Sequence, residues 1–157
     1  MATLDDIYHY LPLGERLATA GQPTEEQLRA VAGAGFRTVI NLSLHDADYS
    51  LTDEAGLVQS LGMDYVHIPV AFQEPRPEDF RRFRQAMGEH AGEKVFVHCA
   101  ANMRVSVFVA LYRMLDLGEA ADAALADVQR IWNPTPVWQR FMDRILTEER
   151  AAGPEHE

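Results

Sequence analysis

Apolar and polar positions along the chain switch between a helical and a strand period, and the switches mark the elements. At Thr24 the run Thr-Glu-Glu-Gln reads as a capping box with acids in the first turn; Leu28 and Val31 follow at helical spacing and Gly35 suits the exit. Thr38-Val-Ile-Asn-Leu42 is a β-branched run and predicts a strand. After a polar stretch, Thr52 is expected to cap a second amphipathic helix that ends near Gly62. Tyr65-Val-His-Ile-Pro-Val70 is the next predicted strand, and Pro77 opens a helix with Phe80, Phe83 and Met87 on one face. Val95-Phe-Val97 reads as a buried strand. Helices are then expected from about Arg104 to Leu117 and from about Glu119 to Trp132, before Pro134 and Pro136 break the chain, and a last helix runs to about Glu149. The segment from Ile7 to Ala20 is expected to add short edge strands.

Strands alternating with helices require crossover connections. The expected fold is therefore α/β: a central, mainly parallel sheet of about four to five strands flanked by helices, binding ligands at the strand carboxyl ends. Its length and its 47% hydrophobic and 24% charged residues fit one ordinary domain, taken here as residues 1–150 with a frayed tail over 151–157.

Charge narrows the partners. With 14 basic against 24 acidic residues the formal charge is −10, which repels nucleic acid and anionic membrane surfaces. A phosphate-bearing ligand would be repelled too, unless its site is locally positive through arginine or backbone N–H groups. The longest apolar run, Val105 to Tyr112, is too short to span a bilayer, and the first residues lack the features of a signal peptide, so a cytoplasmic location is expected. A lone cysteine in such a compartment is either a small buried hydrophobe or a reactive thiol.

Its context favours reactivity. Cys99 directly follows the strand Val95-Phe-Val-His98 and directly precedes an apolar helix containing Val105, Phe108, Val109 and Tyr112. A thiol at a helix N-terminus gains from unpaired N–H groups and the positive end of the helix dipole, which stabilise a thiolate and a bound oxyanion alike. Such a thiolate can attack phosphorus in line, while loop N–H groups of Ala100, Ala101, Asn102 and Met103 and the Arg104 guanidinium stabilise the equatorial oxygens. Arginine suits that role because its donor fork is bidentate. His98 is expected to shape the loop from behind and to favour the thiolate through hydrogen bonds, rather than to act as a base. No metal and no cofactor are called for.

Val-His-Cys-Ala-Ala-Asn-Met-Arg-Val-Ser, from Val97 to Ser106, resembles the signature loop of dual-specificity-type, cysteine-dependent protein phosphatases. Upstream, Ala20-Gly-Gln-Pro23, the helix from Thr24, Gly-Phe-Arg-Thr-Val-Ile-Asn-Leu42 and Tyr-Val-His-Ile-Pro-Val70 follow the order seen in a poorly characterised bacterial branch of that family, and the resemblance covers roughly residues 17 to 145. It implies hydrolysis of phosphate monoesters through a phosphocysteine at Cys99. The loop departs from the family in one respect: four residues separate Cys99 from Arg104 where the family has five, so that Val105 holds the usual arginine place while Ser106 keeps its distance from the cysteine. Asn102 stands where the family has glycine, and asparagine tolerates the left-handed turn that glycine would supply. Either the loop is tighter and Arg104 points inward, or Arg104 is rotated by about 100° on the following helix.

The resemblance also implies a proton donor on the loop after the strand ending near Val70. The expected aspartate is absent; Glu74 is the candidate in its place, and Asp79 reads as a partner of the helix dipole. Two alternatives stay open: a non-catalytic module that binds phosphorylated partners or other oxyanions, and a rhodanese-like sulfurtransferase, whose loops can show the four-residue gap. Ser43, His45, Asp46 and Asp48 read as a polar surface loop, His67 as half-buried packing, Trp132, Trp138 and Phe141 as core, and Arg76, Arg81 and Arg82 as solvated charges.

Overall fold

The computed structural model describes residues 3–44 and 50–152. Its sheet contains β1 (Leu11–Pro12), β2 (Leu17–Ala20), β3 (Thr38–Asn41), β4 (Asp64–His67) and β5 (Val95–His98), in the order β1-β2-β5-β3-β4. Only the β1–β2 pair is antiparallel. The register aligns Ala20, His98, Asn41 and His67 across the carboxyl edge, which is where a parallel sheet presents ligand sites. The α/β expectation with a mainly parallel sheet therefore holds.

Six helices connect and cover these strands: α1 (Glu25–Gly33), α2 (Glu54–Ser60), α3 (Pro77–Glu89), α4 (Met103–Leu115), α5 (Ala121–Ile131) and α6 (Pro136–Ala152). Thr24 caps α1 through the expected box, accepting from Gln27 N–H while the Gln27 side chain accepts from Thr24 N–H. Helix α2 differs from expectation, because Asp53 rather than Thr52 caps it, accepting from Gly56 N–H; both residue types cap well, and the later start puts buried Glu54 at the first helical position. Strand β4 ends at His67 instead of Val70, since Pro69 has no N–H for the ladder, although Ile68 and Val70 still bond to Asn41 O and Leu42 O. Pro136 opens α6 rather than breaking the chain, and α6 continues to Ala152, past the expected end near Glu149; residues 153–157 of the expected tail lie outside the described residues.

Strand alternation divides the interior into two cores. On one face Val95, Val97 and Ile40 pack with Phe80, Phe83, Phe108, Leu111, Trp138 and Ile145 of α3, α4 and α6. On the other, Phe96, Val39, Ala18 and Ala20 pack with Leu28, Val31 and Val58 of α1 and α2. Helix α4 is buried almost all round, with Arg104 through Leu111 all inside, so it is the central post of the first core.

Trp138 ties α6 to the segment after β4. It is fully buried, donates its indole N–H to Phe72 O at 2.8 Å and packs on Phe72, Phe108, Trp132 and Phe141. Trp138→Ala is expected to lower unfolding stability by about 3–5 kcal/mol, as a large core truncation does, in urea melts followed by circular dichroism. A loss under about 1 kcal/mol would show that α6 does not brace this core.

Candidate active site

Because side chains alternate along β5, the chain sends His98 to the α1–α2 face and Cys99 to the α3–α6 face. Cys99 is 1% exposed and lies beneath the loop, among core residues, rather than on the surface. The loop from Cys99 to Asn102 then leads into α4, whose first-turn N–H groups have no acceptor within their own helix.

Hydrogen bonds from outside fix the direction of the loop's peptides. Ala100 O accepts from Gln22 N–H at 2.9 Å, and Ala101 O accepts from His9 Nδ1 at 2.8 Å. Gly21 is needed for this approach: a Cβ there would lie 2.6 Å from Ala100 O and 2.8 Å from the Tyr8 ring. Because a trans peptide points its N–H opposite to its C=O, the N–H groups of Ala101 and Asn102 face away from Gln22 and His9. Asn102 adopts φ 65°, ψ 4°, the left-handed turn expected of it, and donates from Nδ2 to His9 O and Thr19 Oγ1 at 2.9 and 3.0 Å.

Arg104 is 5% exposed and donates from Nη1 to Val70 O at 2.9 Å. Its guanidinium thus lies inward, at the carboxyl end of the sheet, while Val105 in the usual arginine position is fully buried in the core. The Ser106 hydroxyl donates to Met103 O at 2.7 Å and accepts from the Trp132 indole at 3.0 Å, so it braces the first turn of α4.

Glu74 does not reach inward as expected. Its side chain is 73% exposed and sits 3.7 Å from Arg76, because Glu74 N–H closes a turn on Ala71 O and Trp138 holds Phe72 O just before it. Asp79 takes the role expected of it, accepting from Arg76 N–H at the start of α3, and burial pushes its carboxyl above the ordinary value. Ser43 is fully buried, unlike the surface residue expected, and bonds to Asn41 Oδ1; His67 is half-buried and its Nε2 donates to Ser43 O. His45, Asp46 and Asp48 lie outside the described residues.

Glu54 is the residue that sequence reasoning missed. It is 6% exposed, with Oε2 2.5 Å from His98 Nε2 and Oε1 2.9 Å from Gln22 Nε2. Burial pushes its carboxyl up, but His98, by charge and hydrogen bond, and Gln22 more than offset this and hold it below the ordinary value. In sequence, the one sign was an acid in the first turn of an amphipathic helix, which reads as an ordinary dipole partner. Ligand spacing for a metal occurs among the described residues at Asp64, His90 and Glu93, whose donor atoms lie within 4.8 Å of one another at the opposite, amino edge of the sheet. There His90 pairs with Glu93, which also accepts from Thr38.

Comparison with known proteins agrees with this fold. The family described as PTP-NADK, a DSP-PTPase phosphatase fused to NAD+ kinase, matches residues 11–136. A beta-lactamase hydrolase-like protein of Agrobacterium fabrum is 33% identical over 107 residues, covering 66% of this chain and 25% of that protein, so the chain spans about a quarter of the length of the curated relatives it matches. A Shewanella putrefaciens protein described as a candidate phosphatase (DUF442) superposes with a TM-score of 0.83 and 34% identity, over 93% of this chain and 96% of its own. The fold also matches Pseudomonas aeruginosa TpbA, a cysteine-to-serine variant in complex with phosphotyrosine, at a TM-score of 0.64 and 18% identity over 82% of this chain and 76% of that one.

The left-handed turn gives a direct check on the loop. Asn102→Ala is expected to destabilise by about 2–4 kcal/mol, combining the left-handed backbone strain with two lost hydrogen bonds, to His9 O and to buried Thr19 Oγ1. Asn102→Gly, which removes the strain, should lose less. Urea melts of the two variants test the order, and Ala tolerated as well as Gly would contradict the turn.

Proposed function

The chain belongs to the DSP-PTPase phosphatase family, and from that premise we propose that it hydrolyses phosphate monoesters through a covalent phosphocysteine at Cys99. The observation that carries this reading is the anchoring of Ala100 O and Ala101 O on Gln22 and His9, which turns the N–H groups of Ala101 and Asn102 the opposite way, in a loop that joins buried Cys99 to buried Arg104 at the start of α4. Such a cradle complements an equatorial PO3 group more strongly as charge builds on its oxygens.

In the first step the Cys99 thiolate attacks phosphorus, a sulfur–phosphorus bond forms and the ester phosphorus–oxygen bond breaks. The leaving oxygen departs as an alkoxide or phenoxide and takes a proton from solvent water. In the second, water attacks phosphorus, the sulfur–phosphorus bond breaks, and inorganic phosphate leaves with the thiolate restored. Loop N–H groups of Ala100 to Met103 and the Arg104 fork hold the oxygens in both steps; His98 and Ser106 support the loop from behind. The likeness in fold to a protein that holds phosphotyrosine supports a phosphorylated ligand as the class of substrate.

The outward Glu74 favours a second reading, a module that binds oxyanions through the same loop without turning them over. An activated aryl phosphate separates the two, because its leaving group needs no proton donor. The expected outcome is turnover without added metal that falls by at least about a thousandfold in Cys99→Ser. Binding of inorganic phosphate by the wild-type chain with no turnover would favour the module, and turnover unchanged in Cys99→Ser would place the chemistry elsewhere.

A further inference from the structure

Glu54 is a buried carboxylate that neither step above uses, yet its two oxygens reach the two segments that hold the Cys99 loop from behind. One bonds His98, the residue before the nucleophile; the other bonds the Gln22 side chain, whose backbone N–H carries Ala100 O. We propose that Glu54 is a positioning residue that keeps His98 as an imidazolium, charged on both ring nitrogens, and thereby fixes one positive charge and one rigid wall behind Cys99.

The argument is one of donors and acceptors. His98 is fully buried, and each of its ring nitrogens faces an oxygen that can only accept: Nε2 the Glu54 carboxylate at 2.5 Å, Nδ1 the Cys99 carbonyl at 3.3 Å. A neutral imidazole has one N–H and would leave one of these contacts without a proton; the imidazolium satisfies both. Isolated, that cation would be costly to bury. Paired with Glu54 in a charge-assisted bond, it is retained, and the pair is neutral as a whole. The cation is the nearer member to Cys99, so the pair presents its positive side to a thiolate or a bound phosphate.

The other groups around Glu54 agree with an ionised carboxylate. Tyr65 and His67 face it from β4 and Asp53 precedes it on its own helix; burial and the Glu54 charge push the Tyr65 hydroxyl up to about 12, so Tyr65 stays neutral beside it. Gln22 donates to Glu54 through its amide and completes the carboxylate's hydrogen bonds from the β2–α1 connection.

This inference rests on Cys99 as the nucleophile, and the test keeps the two apart. The chain has one cysteine, so alkylation by iodoacetamide reports Cys99 alone. Glu54→Gln preserves shape and a hydrogen bond but removes the charge. It is expected to slow alkylation about tenfold near pH 6 and by less than about twofold near pH 9, where the thiolate forms without help; a purely structural loss would not follow pH in this way. Near pH 7.5 the side-chain 15N resonances of His98 in the wild-type chain should show both nitrogens protonated. On an aryl phosphate, kcat should fall near pH 6 with KM little changed. A neutral His98 in the wild type, or equal alkylation of the two proteins at both pH values, would overturn the proposal. If Glu54→Gln does not fold, the wild-type 15N resonances decide alone. If the wild type turns over no phosphate ester, the phosphatase reading fails while alkylation and the 15N resonances still decide the role of Glu54.

Discussion

Two carbonyls, of Ala100 and Ala101, are turned outward onto Gln22 N–H and His9 Nδ1, and the N–H groups of Ala101 and Asn102 in the same peptide planes point the other way. A backbone of fixed planar units cannot point its carbonyls one way without pointing the neighbouring N–H groups the other. That constraint reaches back through the chain: Gly21 must be small to let Ala100 O and the Tyr8 ring approach, Asn102 must accept a left-handed turn, and the segment from Tyr8 to His9 must close over the loop's outer side. The sheet's part is to end β2, β3 and β5 in register, so that these groups meet at one edge.

A chain with a formal charge of −10 can hold an anion only where local fields outweigh the global one. In the proposed reading few groups supply that field: the start of buried helix α4, a buried guanidinium at Val70, and a histidine paired to Glu54 on the far side of the strand. Two other arginines are engaged elsewhere, Arg84 with Asp116 and Glu149, and Arg113 with Glu119 and Asp127. These pairs tie helices together at the surface, where each contributes little to stability.

Much of this was legible in the sequence because it is local. The capping box at Thr24, the strand–cysteine–helix juncture and the left-handed Asn102 are set by neighbours a few residues away. What escaped depends on contacts across the chain. Glu54 meets His98 over a separation of 44 residues, and nothing in the first turn of α2 marks that acid as buried rather than solvated. Glu74 faces outward because Trp138, 66 residues beyond Phe72, fixes the turn before it. Ser43 and Asn41 bond to each other inside the sheet edge although both read as polar loop or strand-end residues. Arg104 could be assigned to no side from its spacing alone, since a single-residue change in the loop is also a rotation on the helix; its burial and its bond to Val70 O, 34 residues away in the chain, are not marked in the sequence.

A phosphocysteine at Cys99 requires a bond between sulfur and phosphorus during turnover. An aryl phosphate mixed with excess protein, quenched in acid within one turnover and digested, should yield the peptide spanning Cys99 heavier by one phosphoryl group, in an amount that rises and then decays as phosphate is released. Consumption of the substrate with that peptide unmodified throughout, or with the phosphoryl group on another residue, would contradict it.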